Sequence, residues 1–267
     1  MASPLILVTN DDGIRSAGLR AAVEALAPLG ELLVVAPNRQ WSGAGRSMPI
    51  TVTHESAAVE YTLKDGRSVA AYEVDATPAH CVIHAMLHFA ERRPALVVSG
   101  INFGENVSTE VTISGTIGAA LEAATFHVPA LAVSVEMAVE NHLSGDDDED
   151  YGAAGAFTRR FARRLLEDPL PFDADLLSIN LPRTATSDTP WHLTRLSRHR
   201  YFIPVPADRD NGGTRPGYRV MDGPENAEPG SDIWCIHHLH HVSVTPISLD
   251  LTSRADFGAL EEQLHAA

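Results

Sequence analysis

Only two of the 267 residues are cysteines, Cys81 and Cys235. Two thiols build neither a disulfide framework nor a thiolate zinc site, so a reducing, cytoplasmic setting is expected. Long apolar runs are missing too. No stretch approaches the roughly 20 consecutive apolar residues of a membrane span. The start, Met-Ala-Ser-Pro before a short apolar run, lacks the basic flank and cleavage site of a signal peptide. Basic residues are few, 20 against 35 acidic, which leaves a net charge of −15. Such a surface repels phosphate backbones and anionic lipid, so neither nucleic acid nor a membrane is an expected partner. A small anionic ligand stays open, because a bound metal or a helix N-terminus reverses the local potential. Hydrophobic residues make up 44% of the chain, which argues against wholesale disorder. The length suits one large α/β domain or two small ones. There is no internal repeat.

What is present reads as alternating strand and helix. Leu5-Ile6-Leu7-Val8 is a continuous apolar run, as in a strand buried on both faces. Leu19, Val23 and Leu26 recur at helical spacing, and Pro28 with Gly30 closes that helix. Leu32 to Val35, Leu96 to Val98, Leu131 to Val133 and Leu176 to Ile179 supply further core strands, the last taken as the final parallel one. Residues 50–75 alternate around an Asp65-Gly66 turn, which predicts an inserted antiparallel hairpin. Thr77 and Pro78 mark a helix start, as N-cap and first-turn residue. The acidic run at 146–150 precedes a helix with Phe157, Phe161 and Leu165, and suits its dipole better than a calcium loop. From 183 the chain turns rich in Pro, Gly, Arg and Asp. The expected layout is a Rossmann-like three-layer α/β core with a mostly parallel sheet over 1–182. An extended oligomerisation arm or hairpin follows over 183–241, then a C-terminal strand and helix over 242–267.

Three polar clusters each follow an apolar strand: Asn10-Asp11-Asp12-Gly13, residues 38–47, and residues 99–116. Open parallel sheets bind ligands beyond the carboxyl ends of their strands, so parallel strands would bring the clusters to one rim. Each cluster also has a purely structural reading. Asn10 to Gly13 suits a turn, yet two adjacent carboxylates repel, and a hard divalent cation offsets that cost. Trp41 to Ser47 is a Gly-rich loop of a common structural kind. It also offers backbone amides near Gly43 for an anion and the Ser42 hydroxyl for a metal. Asn102 and Asn106 carry amide oxygens that ligate hard metals without adding charge. Ser114-Gly115-Thr116 opens a helix, where free amides form a phosphate site or simply an N-cap.

These segments resemble the SurE family of metal-dependent 5'/3'-nucleotidases, or survival-protein acid phosphatases. The resemblance rests on Val8-Thr9-Asn10-Asp11-Asp12-Gly13, Ala36-Pro37 through Ser42-Gly43-Ala44-Gly45, Ser99 to Asn106 and Ser114-Gly115-Thr116. It extends to Thr77-Pro78, Pro129 to Ser134, Asn180-Leu181-Pro182 and Val242 to Pro246, in order and spacing. By resemblance, Asp11, Asp12, Ser42 and Asn102 hold one divalent ion per subunit, Mn²⁺ or Mg²⁺. Asn10, Gly43, Asn106, Ser114, Gly115 and Thr116 then contact substrate phosphate, and Asp11 or Asp12 serves the attacking water. The family implies a swapped C-terminal arm in a homodimer or homotetramer. The substrate is a small phosphate monoester.

One stretch departs from the family pattern. Val107 to Ile113 lacks the glycine and the aromatic usual between Asn106 and the Ser-Gly-Thr turn, which bears on substrate preference. Three alternatives follow: a phosphatase for another metabolite, a nucleotide- or metal-binding member with reduced turnover, and an aspartyl-phosphate enzyme using Asp11. The last is weak, because such enzymes space their acids by one residue. His80, His84 and His88 recur every fourth residue and read as a polar helix stripe rather than a zinc motif. His237, His238, His240 and His241 read as a solvent-facing hairpin, with an adventitious metal site the alternative.

Overall fold

The computed structural model describes residues 3–50, 54–138, 150–207, 214 and 216–266. Strands are β1 (Leu5–Thr9), β2 (Glu31–Pro37), β3 (Ser56–Ala58), β4 (Ala70–Val74), β5 (Leu96–Phe103) and β6 (Ala130–Val135). After them come β7 (Leu176–Leu181), β8 (Trp191–Leu193), β9 (Phe202–Val205), β10 (Gly217–Val220) and β11 (Val242–Ile247). Helices are α1 (Ala17–Leu26), α2 (Pro78–His84), α3 (Gly115–Thr125), α4 (Gly152–Glu167), α5 (Asp232–His237) and α6 (Phe257–His265). Among the described residues no helix is long and apolar enough to cross a membrane.

The main sheet runs β3-β4-β2-β1-β5-β6-β7-β11-β8. The strands β4, β2, β1, β5, β6 and β7 are mutually parallel. β3 and β11 are antiparallel to their neighbours β4 and β7. Ile6 and Val8 face one apolar core with Leu19, Val23 and Phe157, whereas Leu5 and Leu7 face the other with Val82 and Ile117. Helices α1 and α4 thus cover one face of the sheet and α2 and α3 the other. That two-sided burial is why β1 lacks the alternation of a half-exposed strand. The sheet grows outward from β1 to β2 and β4, then returns to β5 on β1's other side. The switch point therefore lies between β1 and β5, where open α/β sheets form their crevice.

Local signals set the helix boundaries. Ser16, Thr77, Ser114 and Ser231 each accept a backbone N–H from the first turn of the helix they precede. The helix that begins at Pro78 is α-helical only to His84 and closes with a π-turn over Ala85–Phe89. The hairpin expected over 50–75 takes the form of β3 pairing with β4, with Gly66 closing its turn back to Leu63. β4 also belongs to the parallel sheet.

Residues 183–241 are of two kinds. β8 lies at the edge of the main sheet beside β11, while β9 and β10 form a separate antiparallel pair. Tyr201, Ala227, Ile233 and Ile236 bury together with Val107 in a small third core. The histidine tract is not a hairpin. Ser231 caps α5, Ile233 and Ile236 anchor it, and His237 ends it with its Nε2 2.8 Å from the Tyr201 hydroxyl. Of the acidic run, 146–149 lie outside the described residues, and Asp150 accepts from Gly152 N at 2.8 Å.

Two predictions follow from this packing. A Cβ on Gly18, in α1, would stand 2.0 Å from the Ile101 carbonyl oxygen, a backbone atom that has little room to yield. Gly18→Ala is expected to lower stability by about 1–3 kcal/mol, read from the urea midpoint, despite alanine's better helix propensity. Glu105 is buried, with hydrogen bonds from the Tyr201 side chain and from Met137 N at 3.1 Å, and burial outweighs both to push its carboxyl from 4.5 to about 7. A carboxyl raised in the folded state loses its stability contribution as pH rises from the unfolded value through the folded one. Glu105→Gln should therefore match the parent near pH 4 and exceed it above pH 7, by up to about 3 kcal/mol. Equal unfolding free energies of the two proteins at pH 8 would refute this.

Candidate active site

The site forms where β1 ends. Asn10 braces the turn, its Nδ2 donating to Gly13 O at 3.1 Å and Ser16 Oγ at 2.7 Å while its Oδ1 accepts from Gly13 N. That side chain is committed within the turn rather than directed outward. The turn presents Asp11 and Asp12 toward the ends of β5 and α3.

Asp11 is buried against the N-terminus of α3. Its Oδ1 accepts from Thr116 Oγ1 at 2.6 Å and its Oδ2 from Thr116 N at 3.2 Å. A Cβ on Gly115 would lie 2.8 Å from Asp11 Oδ2, so glycine allows the helix to come this close. Thr116 therefore holds Asp11, and Ser114 Oγ accepts from Ile117 N as the helix cap. Asp12 accepts from Gln40 Nε2 and Phe103 N, each at 3.2 Å. Burial raises the carboxyls of both aspartates, and for Asp12 burial together with the adjacent Asp11 charge brings it to about 7.

The loop over 41–47 is tied down at both ends. Trp41 N donates to Asp11 O at 2.7 Å, and Gly45 N donates to Ile113 O at 2.8 Å. Arg46 clasps the buried Glu122 of α3 through Nε and Nη2, both at 2.8 Å. Thr77 Oγ1, the cap of α2, donates to Ser47 O. Gly118 makes room, since a Cβ there would sit 2.4 Å from Gly45 O. Between these anchors Ala44 N closes a turn onto Trp41 O, with Gly43 at φ +75°. Ser42 and Gly43 are left as an exposed apex on the rim.

Asn102 lies next to the end of β5, its Nδ2 donating to Gly104 O at 2.5 Å, which leaves the amide oxygen outside that bond. Asn106 lies further along the rim, at the ends of β6 and β7. Its Nδ2 donates to Ser134 Oγ at 2.9 Å, and its backbone exchanges hydrogen bonds with the Asn180 side chain. Ser134 and Asn180 lie in segments that carry the resemblance but have no site role in the sequence reading, although a polar residue within Leu-Leu-Ser-Ile-Asn-Leu is a usable signal. Glu122 and Asp232 gave none. The stretch after Asn106 is a 3₁₀ turn over Ser108–Thr112. Asp232 accepts from Ser108 N at 2.6 Å and Ser197 N at 2.8 Å, while Ser108 Oγ donates to His199 O. The stretch is thereby tied to the segment beyond 183.

Among the described residues no three His, Cys, Asp or Glu side chains surround a common point. The donors at this rim are instead two carboxylates with a hydroxyl and an amide nearby, an all-oxygen set of the kind that suits Mg²⁺ or Mn²⁺. Two desolvated, mutually repelling carboxylates fit a cation, because a positive charge relieves the repulsion that raises both.

The sequence model of the family described as Survival protein SurE matches residues 6–202. A Thermococcus gammatolerans protein named 5'-nucleotidase SurE is 43% identical over 260 residues, 97% of this chain and 95% of that one. A Methanosarcina mazei protein of the same name is 42% identical over 268 residues, 98% of each chain. The crystal structure of the Sure protein from Aquifex aeolicus aligns over 98% of this chain and 99% of its own. Its TM-score is 0.76 at 28% identity. With the β1–β5 crevice, the paired aspartates and this near full-length likeness in agreement, the chain belongs to the SurE family.

Proposed function

We propose that this protein is a divalent-metal-dependent phosphomonoesterase, a nucleotidase that releases phosphate from nucleoside 5'- and 3'-monophosphates. The observation that carries the reading is the Asp11–Asp12 pair at the switch point, Asp11 buried against the N-terminus of α3 and Asp12 half-buried beside it. Nucleotides enter as the substrate class from the relatives, which are named 5'-nucleotidases. Two free, buried cysteines support a cytoplasmic location.

Asp11, Asp12, Asn102 and Ser42 would hold the ion. When bound, it supplies neutralisation of phosphoryl charge and a lowered pKa for water. The remaining work falls to the chain. Thr116 fixes the Asp11 carboxylate. Asp12, the less buried of the pair, takes a proton from the attacking water at an oxygen held by Gln40 or Phe103 N. The second Nδ2 hydrogen of Asn106 and the positive end of α3 would stabilise the charge that grows on the phosphoryl oxygens.

A homodimer or homotetramer is part of the proposal. Helix α6 is exposed along its whole length, with Phe257, Leu260 and Leu264 at 60%, 40% and 69% exposure. An apolar stripe of this kind on a terminal helix is the surface a second copy would cover.

Phosphate release from 5'- and 3'-nucleoside monophosphates is expected with Mn²⁺ or Mg²⁺, to vanish on EDTA treatment and to return on metal addition. Asp12→Asn should lower kcat by about 10²-fold or more. No release across nucleotides, sugar phosphates and short polyphosphates would leave a binding protein, and trapped aspartyl-phosphate would revive the covalent route. Thr116→Val should lower kcat/KM by about tenfold, the scale of one hydrogen bond to a charged group, while Thr116→Ser retains activity. Equal loss in both variants would assign Thr116 a packing role only.

A further inference from the structure

The histidines of α2 have a partner that no sequence spacing indicates. His54, just before β3, places its Nδ1 3.0 Å from Nε2 of His84. Its ring meets His80 edge-on at 4.3 Å and His84 at 5.2 Å between centroids. His80 and His84 lie one turn apart on α2, and all three rings are half-buried, within reach of solvent. His80 Nδ1 lies 3.4 Å from Thr77 Oγ1, which leaves its Nε2 uncommitted. Among the described residues none of the three has a carboxylate partner. Burial first, and then the neighbouring rings, hold His80 and His84 below the usual histidine range, so their lone pairs are available at neutral pH.

We propose that His54 and His84, completed by His80, form a transition-metal site for a borderline ion such as Zn²⁺, separate from the Asp11–Asp12 centre. With metal–nitrogen bonds of about 2.0–2.1 Å, two imidazole nitrogens on one ion lie about 2.9 Å apart at a right angle and about 3.4 Å apart in a tetrahedron. The His54–His84 separation of 3.0 Å falls within that interval. Bringing Nε2 of His80 to the same point takes a turn of that ring, since the three are now hydrogen-bonded and packed rather than closed around an ion. Imidazoles select Zn²⁺, Ni²⁺ or Cu²⁺ over Mg²⁺, whereas the all-oxygen carboxylate centre also accepts Mg²⁺, so excess Mg²⁺ competes for that centre and not for the imidazoles.

The test is Zn²⁺ binding by equilibrium dialysis on metal-stripped protein in excess Mg²⁺, with the parent, His54→Gln and His84→Gln. A second imidazole pair, His192 and His241 at 2.8 Å on the β8–β11 edge, is controlled by His192→Gln. The expected result is loss of one tight Zn²⁺ equivalent, with Kd raised at least tenfold, in His54→Gln and His84→Gln but not in His192→Gln. Thermal midpoints without Zn²⁺ and Mg²⁺-supported phosphate release should not change. Unaltered stoichiometry and affinity in both variants, or displacement of the Zn²⁺ by Mg²⁺, overturns the proposal. Should a variant fail to fold, the imidazole ¹⁵N resonances of the parent protein decide. Zn²⁺ must shift those of His54 and His84, and their indifference to Zn²⁺ overturns the assignment.

Discussion

The contact between Asp11 and Thr116 joins the end of β1 to the start of α3, and the rest of the site is arranged around it. A carboxylate with no side chain to separate it from a helix N-terminus sits at the positive end of the helix dipole. Gly115, having no Cβ, leaves room for this approach, and the Thr116 hydroxyl and amide supply the hydrogen bonds. These partners offset part of the cost of burying Asp11 but not all of it, since its carboxyl remains raised. Asp12 carries the consequence, because it is partly desolvated beside a second charge. The pair is an electrostatic position that a cation relieves, and this follows from burial and adjacency alone.

Around that contact the scaffold restricts movement. The 41–47 loop is pinned by Asp11 O, Ile113 O, Glu122 and Thr77, so only Ser42 and Gly43 face outward without such a tie. On the far side of the crevice, Asn106 is fixed across β6 and β7 by Ser134 and Asn180. The Ser108–Thr112 turn is fixed in turn by Asp232, whose buried carboxylate joins it to Ser197 and Ile233. The stretch between Asn106 and Ser114 is thus held by contacts from the segment beyond 183. Its backbone is not an open loop beside the site, and any effect on substrate choice passes through that packed connection.

Much of the fold was legible because its causes are local. Strands buried on two faces must be apolar without interruption, and β1, β2, β5, β6 and β7 are. Serine or threonine before a helix leaves a readable mark, as at Thr77-Pro78 and Ser114. The rim was legible at one remove, since three polar clusters after three apolar strands can meet only if the strands are parallel. Less of the detail was readable. Thr116 reads as a phosphate ligand and is turned toward Asp11, and Asn10 reads the same way and is held inside its own turn. The histidine tract reads as a hairpin and begins as the end of α5, because Ile233 and Ile236 find a core formed with Val107 and Tyr201.

The sequence by itself determined the periodicities, the caps and the chemical identity of the groups at the strand ends. Those depend on neighbours within a few residues, where covalent geometry leaves little choice. Tertiary structure alone decided which of those groups meet. Asp11 with Thr116, Asp12 with Phe103, Arg46 with Glu122 and His54 with His84 are each separated by 30 residues or more. Their pairing follows from strand order and from helix packing across the sheet, and no local pattern encodes a partner that the chain reaches only after crossing the fold.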